Sequence, residues 1–292
     1  MYHDKRGVAF TASSQEAVDA FDASVDEFLA SGRDAARLLK RIGQVDPDMI
    51  MGQVLRGYFY RLPALPHLAA MSAEALEAAE KLAPSATDRE RKHVAALAAW
   101  CRGDIRGMNA IWETILVDQP HDILALRIAH TMHFFLGDLA QMRDSMARVM
   151  PRWDETVPGY GYVLGCRAFS LEENHDFVQA EPLGKRAVEI NENDIWAGHC
   201  VAHVLEGMGR RQEGIEWIDV HEEAWQKRGM FSSMAMTCPT HGKEKTALQS
   251  PKPVLAPALI FWPSGSFLKK MRRRHRHWIL SPWKNTRLRL GK

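Results

Sequence analysis

The stretch GYVLGCRAFSLEENHDFVQAEPLGKRAVEINEND, residues 161–194, decides the fold. Its NHD turn at 174–176 separates two helical segments, and Ala168, Phe177, Ala180 and Ala187 fall at fixed offsets around it. Three of these side chains are small because helices that cross closely leave no room for bulk there, and the fourth is an aromatic beside the turn. The segment reads as one helical hairpin 34 residues long.

The same turn recurs on either side, as RGD at 102–104, LGD at 136–138 and MGR at 208–210. The intervals between Gly103, Gly137, His175 and Gly209 are 34, 38 and 34 residues. A fixed period of this size marks stacked helix pairs, and 34 is the period of the tetratricopeptide repeat. The longer interval holds the proline-bounded insert PRWDETVP at 151–158. Pro120 closes the preceding unit, and Gly214 takes the small-residue position of the last. A non-repetitive bundle shares the amphipathic periods but gives no reason for the recurrence. Upstream, residues 17–30 form a helix closed by Gly32, and 34–45 a second ended by Asp46, Pro47 and Asp48. Further helices are expected over 49–60 and over 72–82, before Pro84. The expected fold class is all-α, a tetratricopeptide-like solenoid of helical hairpins over residues 1–228.

Residues 229–292 break the pattern. They hold 13 Lys and Arg against the single acid Glu244, leaving 25 Lys and Arg against 35 acids in the body. Six of the 14 prolines also fall there, and proline is poorly tolerated inside helices. A second region is therefore expected, a basic, proline-rich and poorly ordered tail. The hydrophobic share of 46% and charged share of 25% exclude a disordered chain and allow a sizeable core. Cys101, Cys166, Cys200 and Cys238 form no CxxC pair, which argues against a disulfide framework or zinc ribbon and for reduced thiols. No apolar run reaches the ~18 residues that a membrane span needs. The opening MYHDKRGVAF lacks the apolar core of a signal peptide, so a cytoplasmic location is expected. GxGxxG, GxxxxGK[ST] and GxSxG are all absent.

In such a solenoid the first helix of each pair lines the concave surface through its second, fifth, ninth and twelfth positions. Those positions are Leu124, Arg127, Thr131 and Phe134 in one unit and Tyr162, Gly165, Phe169 and Glu172 in the next. In the last unit they are Trp196, His199, His203 and Glu206. His130 and His133 take packing positions and read as core histidines. His199 and His203 stand one helical turn apart with Glu206 three residues on, a spacing that suits a divalent metal completed by Glu206 or by Glu172 of the neighbouring helix. The same groups could serve as an acid/base pair without metal. The arrangement is not HExxH, since position 200 is Cys, and a groove of His, Trp, Tyr and Glu is also what a peptide-binding surface presents. The run DRERKH at 88–93 reads as a solvated first helical turn, and MRDSMARVM at 142–150 as core filling.

The segments DILALRIAH, LGDLAQMRDSMARVMPRW, YVLGCRAFSLEE, AEPLGKRAVEI and, most specifically, DIWAGHCVAHVLEGMGRRQEGIEW together resemble the tetratricopeptide repeat protein 38 family. The resemblance covers roughly residues 10–228 and is firmest over 120–228. It implies a cytosolic protein of degenerate repeats and supplies no reaction; His199, His203 and Glu206 match its histidine-bearing motif. After Trp225 the sequence departs from the family pattern, which suggests either a frameshifted end or a genuine basic tail able to meet nucleic acid or an anionic membrane surface. The leading expectation is an interaction scaffold without cofactor, holding an unidentified peptide or helix near Tyr162, Phe169, Glu172, Trp196, His199, His203 and Glu206. The alternative is a metal-dependent or acid/base enzyme centred on His199, His203 and Glu206.

Overall fold

The computed structural model describes residues 1–226, and in it the recurring turn residues share one backbone conformation. Gly103, Gly137, His175 and Gly209 all lie at positive φ, at 79°, 72°, 63° and 75°. This left-handed region is open to glycine and costs other residues energy. The turn was recognisable in sequence because the chain must reverse there at a fixed interval.

Twelve α-helices are present among the described residues. They are α1 (Gln15–Leu29), α2 (Ala35–Val45), α3 (Ile50–Arg61), α4 (Ala69–Leu82), α5 (Asp88–Cys101) and α6 (Ile105–Asp118). Then follow α7 (Ile123–Leu136), α8 (Leu139–Val149), α9 (Tyr160–Glu172), α10 (Phe177–Ile190), α11 (Ile195–Gly207) and α12 (Arg211–Gln226). Consecutive helices pair as hairpins, and the first helices α7, α9 and α11 pack side by side, so the chain is an all-α solenoid. An antiparallel two-stranded hairpin, β1 (Tyr2–His3) with β2 (Ala9–Phe10), precedes the helices. No helix among the described residues is long and apolar enough to cross a membrane. The basic tail expected at 229–292, with the frameshift and nucleic-acid readings that rest on it, lies outside the described residues.

The small-residue positions do what the crossing geometry requires. Ala168, Ala180 and Ala187 are fully buried, and Phe177 packs partly buried beside them. A Cβ placed on Gly184 would meet Val201 Cγ2 at 2.7 Å, so α10 approaches α11 too closely for any side chain. Met142 and Met146 fill the core under α8. In the insert, Trp153 is buried and its Nε1 donates to the Pro120 carbonyl at 2.9 Å, so the extra residues pack instead of looping out.

Two expectations are corrected. The left-handed residue that ends α1 is Ser31 (φ 52°), not Gly32; a Cβ on Gly32 would displace the Glu27 carboxylate, which accepts from the Asp34 N–H at 2.7 Å. The run at 88–93 is solvated on one side only, where Asp88 and Arg91 are exposed. Arg89, Glu90 and His93 are buried, because this turn faces the N-terminal hairpin and α7 and carries their polar contacts. Glu90 closes a capping box with Thr87 and accepts from the Thr11 backbone N–H at 2.9 Å. Arg89 and His93 both donate to Asp122, at 2.7 and 2.9 Å.

Replacing Asp122 with Ala leaves the Arg89 guanidinium buried without a counter-charge, and chemical denaturation should show a loss of about 3–5 kcal/mol. His175→Gly relieves about 1–2 kcal/mol of left-handed strain against about 0.5–1 kcal/mol of added chain entropy. The same assay should therefore find that variant unchanged or slightly more stable.

Candidate functional site

Capping aspartates set the start of two of the three inner helices. Asp122 accepts from the Ala125 N–H at 2.9 Å and Asp194 from the Ala197 N–H at 3.0 Å, which satisfies backbone donors at the first turns of α7 and α11. The middle helix, α9, instead begins at Gly159, with φ 93°. Gly165 lets α11 approach α9, since a Cβ there would meet Asp194 Oδ2 at 2.5 Å and the Ala197 Cβ at 3.0 Å. This close approach brings the histidines of α11 to the acidic end of α9.

The half-buried residues on the common face are Arg127, Thr131 and Phe134 of α7, Tyr162 of α9, and Trp196, His199, His203 and Glu206 of α11. These are positions that the repeat frame assigned to the concave surface. Leu124, Gly165, Phe169 and Glu172 depart from it and are buried. Phe169 is only 1% exposed because neighbours close over it from both sides, the Trp196 ring at 4.8 Å and the Phe134 ring at 5.2 Å. It forms the floor of the face and is not a contact residue. Glu172 is 8% exposed, covered at the α9–α11 junction.

A continuous row of side chains crosses this floor. The Arg127 guanidinium lies 5.1 Å from the Trp196 ring centre. Ring centres are 5.9 Å apart from Trp196 to His199 and 4.1 Å from His199 to His203. His203 Nδ1 is 3.5 Å from Glu172 Oε1. Two atoms in the row are buried without a hydrogen-bond partner among the described residues, Trp196 Nε1 and Glu172 Oε2. Buried polar atoms are normally paired, so each marks a place where a partner group is wanted.

His130 and His133 are buried in the core, as their packing positions required. His130 Nε2 donates to the Cys166 carbonyl at 2.9 Å. His133 accepts from Asn109 Nδ2 and donates to Glu113 Oε1, both at 2.9 Å.

The donors that come together include His203 and Glu172, the neighbouring-helix carboxylate expected for it, but not His199 or Glu206. Glu172, Glu173 and His203 each offer an atom within 4.8 Å of the others, a grouping of three that could hold a metal ion. His199 stacks against His203 from outside that group, and Glu206 acts on His203 through its charge. Glu173 was missed because the repeat frame stops at the twelfth position. As the C-cap of α9 it keeps helical backbone angles, φ −64° and ψ −20°, which holds it beside Glu172. The signal was present in the EE doublet directly before a recurring turn.

The cluster's electrostatics are divided. Burial, reinforced by the Glu172 charge and opposed by His203, pushes the Glu173 carboxyl up to about 7. Burial disfavours charged His203, but the bond to Glu172 and the charges of Glu172, Glu173 and Glu206 outweigh it and raise its pKa. His199 is driven well below its ordinary value by burial and by His203, so it is neutral at physiological pH. Burial also raises Asp194 to about 6, against the Ala197 N–H and Arg127. One end of the row can therefore hold both a carboxylate proton and an imidazolium, while its centre is a neutral imidazole. A scan against protein-family models finds no match to this chain.

Between its ordinary value of 4.5 and about 7, Glu173 keeps a proton in the folded state that the unfolded chain releases. Its contribution to stability accordingly falls as pH rises through that window. His203 contributes in the same direction and His199 in the opposite one, so the readout is a difference. The melting temperature of Glu173→Gln minus that of the wild type should increase between about pH 4 and about pH 8.

Proposed function

We propose that the chain is an interaction scaffold of the tetratricopeptide repeat protein 38 kind, holding an extended peptide or helix of a protein partner along α7, α9 and α11. The observation that carries this reading is Trp196. Its ring is half-buried between Arg127 and Phe169, and its Nε1 has no partner among the described residues, which suits it to anchor a segment apolar at one point and carbonyl-bearing at the next. The row is also polar end to end, with Arg127 at one side and Glu172, Glu173 and Glu206 at the other. That polarity favours one direction for the bound segment, acidic toward Arg127 and basic toward α9's end. The repeat period and the histidine-bearing motif at 194–217 support the family reading.

A displayed random-peptide library selected on the full chain tests the proposal. Enriched peptides should share an acidic-to-basic polarity, and Trp196→Ala should weaken them by about 2 kcal/mol or more. Trp196→Phe, which keeps the ring and deletes Nε1, should lose less. No enrichment, or peptides that bind wild type and Trp196→Ala alike, would exclude this face as the binding surface.

A further inference from the structure

We infer that Glu172, Glu173 and His203 form a site for a divalent first-row metal ion, such as Mn(II) or Zn(II), at the junction of α9 and α11. Three observations meet there. The three donor atoms lie within 4.8 Å of one another; metal–ligand distances of about 2.0–2.2 Å close that spread with small side-chain rotations. Glu172 is 8% exposed, and while its Oε1 faces His203 Nδ1 at 3.5 Å, its Oε2 is buried without a hydrogen bond. An unmade bond to a buried carboxylate oxygen costs more than one to a neutral group, and no donor among the described residues fills the position. Two neighbouring carboxylates in a buried setting also repel, and a cation between them turns that repulsion into coordination.

The donor set selects the kind of metal. Two carboxylates with one imidazole suit manganese, iron or zinc, whereas calcium and magnesium favour all-oxygen shells. The helices fix the geometry: α9 supplies adjacent carboxylates across its C-terminal end, and the close approach at Gly165 brings α11 and His203 against them. Trp196 and Arg127 lie farther along the row, so the peptide's Trp196 anchor stands clear of the metal, whereas a basic peptide group at α9's end competes with the metal for the same carboxylates.

The test uses the full chain, stripped of metal by a chelator and titrated with Mn(II), free Mn(II) being followed by electron paramagnetic resonance. One site per chain is expected. Glu172→Gln, Glu173→Gln and His203→Gln should each weaken it by about 100-fold, the upper end of what loss of even a supporting residue costs. Glu206→Gln should leave it intact. Mn(II) should also raise the wild-type melting temperature, because an ion bound only by the folded state stabilises it; this reading stands even if a variant does not fold. The inference is overturned if wild type shows no site or no thermal shift. It is equally overturned if the site survives the Glu172 and His203 substitutions, or if the site depends on Glu206 and not on Glu173.

Discussion

The buried carboxylate of Asp122 is the contact on which the first half of the solenoid depends. It accepts from Arg89 at 2.7 Å, from His93 at 2.9 Å and from its own helix at the Ala125 N–H. Arg89 continues the contact to the Ala9 carbonyl and lies over the Phe10 ring. Tyr58 pairs with His93 and accepts from Trp112 Nε1 at 2.8 Å. One carboxylate therefore links the β-hairpin, α3, α5, α6 and α7. Burial alone would raise its pKa, but His93 and Arg89 together hold it far below the usual carboxylate range. A charge this deep is stable only when fully paired, and breaking one contact strands the others. Apolar packing is non-directional, so the relative placement of these helices comes from the hydrogen bonds, which tolerate only one arrangement.

The parts of this architecture legible in the sequence are those imposed by local backbone geometry. A left-handed turn needs glycine or a tolerant substitute, so Gly103, Gly137, His175 and Gly209 announced themselves by spacing. Close crossings need small residues, so Ala168, Ala180 and Ala187 did too. Burial of charge was not legible. The run at 88–93 has the composition of a solvated turn, and only the tertiary position of Asp122, some 30 residues on, reveals that Arg89 and His93 point inward. Ser31 escaped notice for a related reason: the adjacent Gly32 offers the more usual left-handed residue, and the Glu27 side chain that claims its Cβ space is invisible to pattern.

The candidate site divides along the same line. The repeat frame located Arg127, Tyr162, Trp196, His199, His203 and Glu206 on a common face, because exposure on a helix follows its period. It failed at Leu124 of α7 and above all at α9, whose position between two neighbours buries Phe169 and Glu172. Helical spacing offered His203 partners on its own helix and the repeat frame offered Glu172 of the adjacent one; the carboxylates grouped with His203 are Glu172 and, unanticipated, Glu173. Spacing within one element cannot report which side chains meet between elements.

The N-terminal segment has a bearing on when the molecule can fold. Arg6 reaches Asp22 at 2.9 Å nearby in sequence, but its Nε donates to the Pro158 carbonyl at 3.0 Å, across 152 residues. A chain emerging from the ribosome in order can form its early hairpins as they appear. The segment bearing Arg6 cannot complete its contacts until the insert at 151–158 has been made, and a contact so distant in sequence also carries a large loop-closure entropy. The segment bearing Arg6 thus reaches its final bonds only once a carbonyl 152 residues further on exists, and the insert that lengthens one repeat interval provides it.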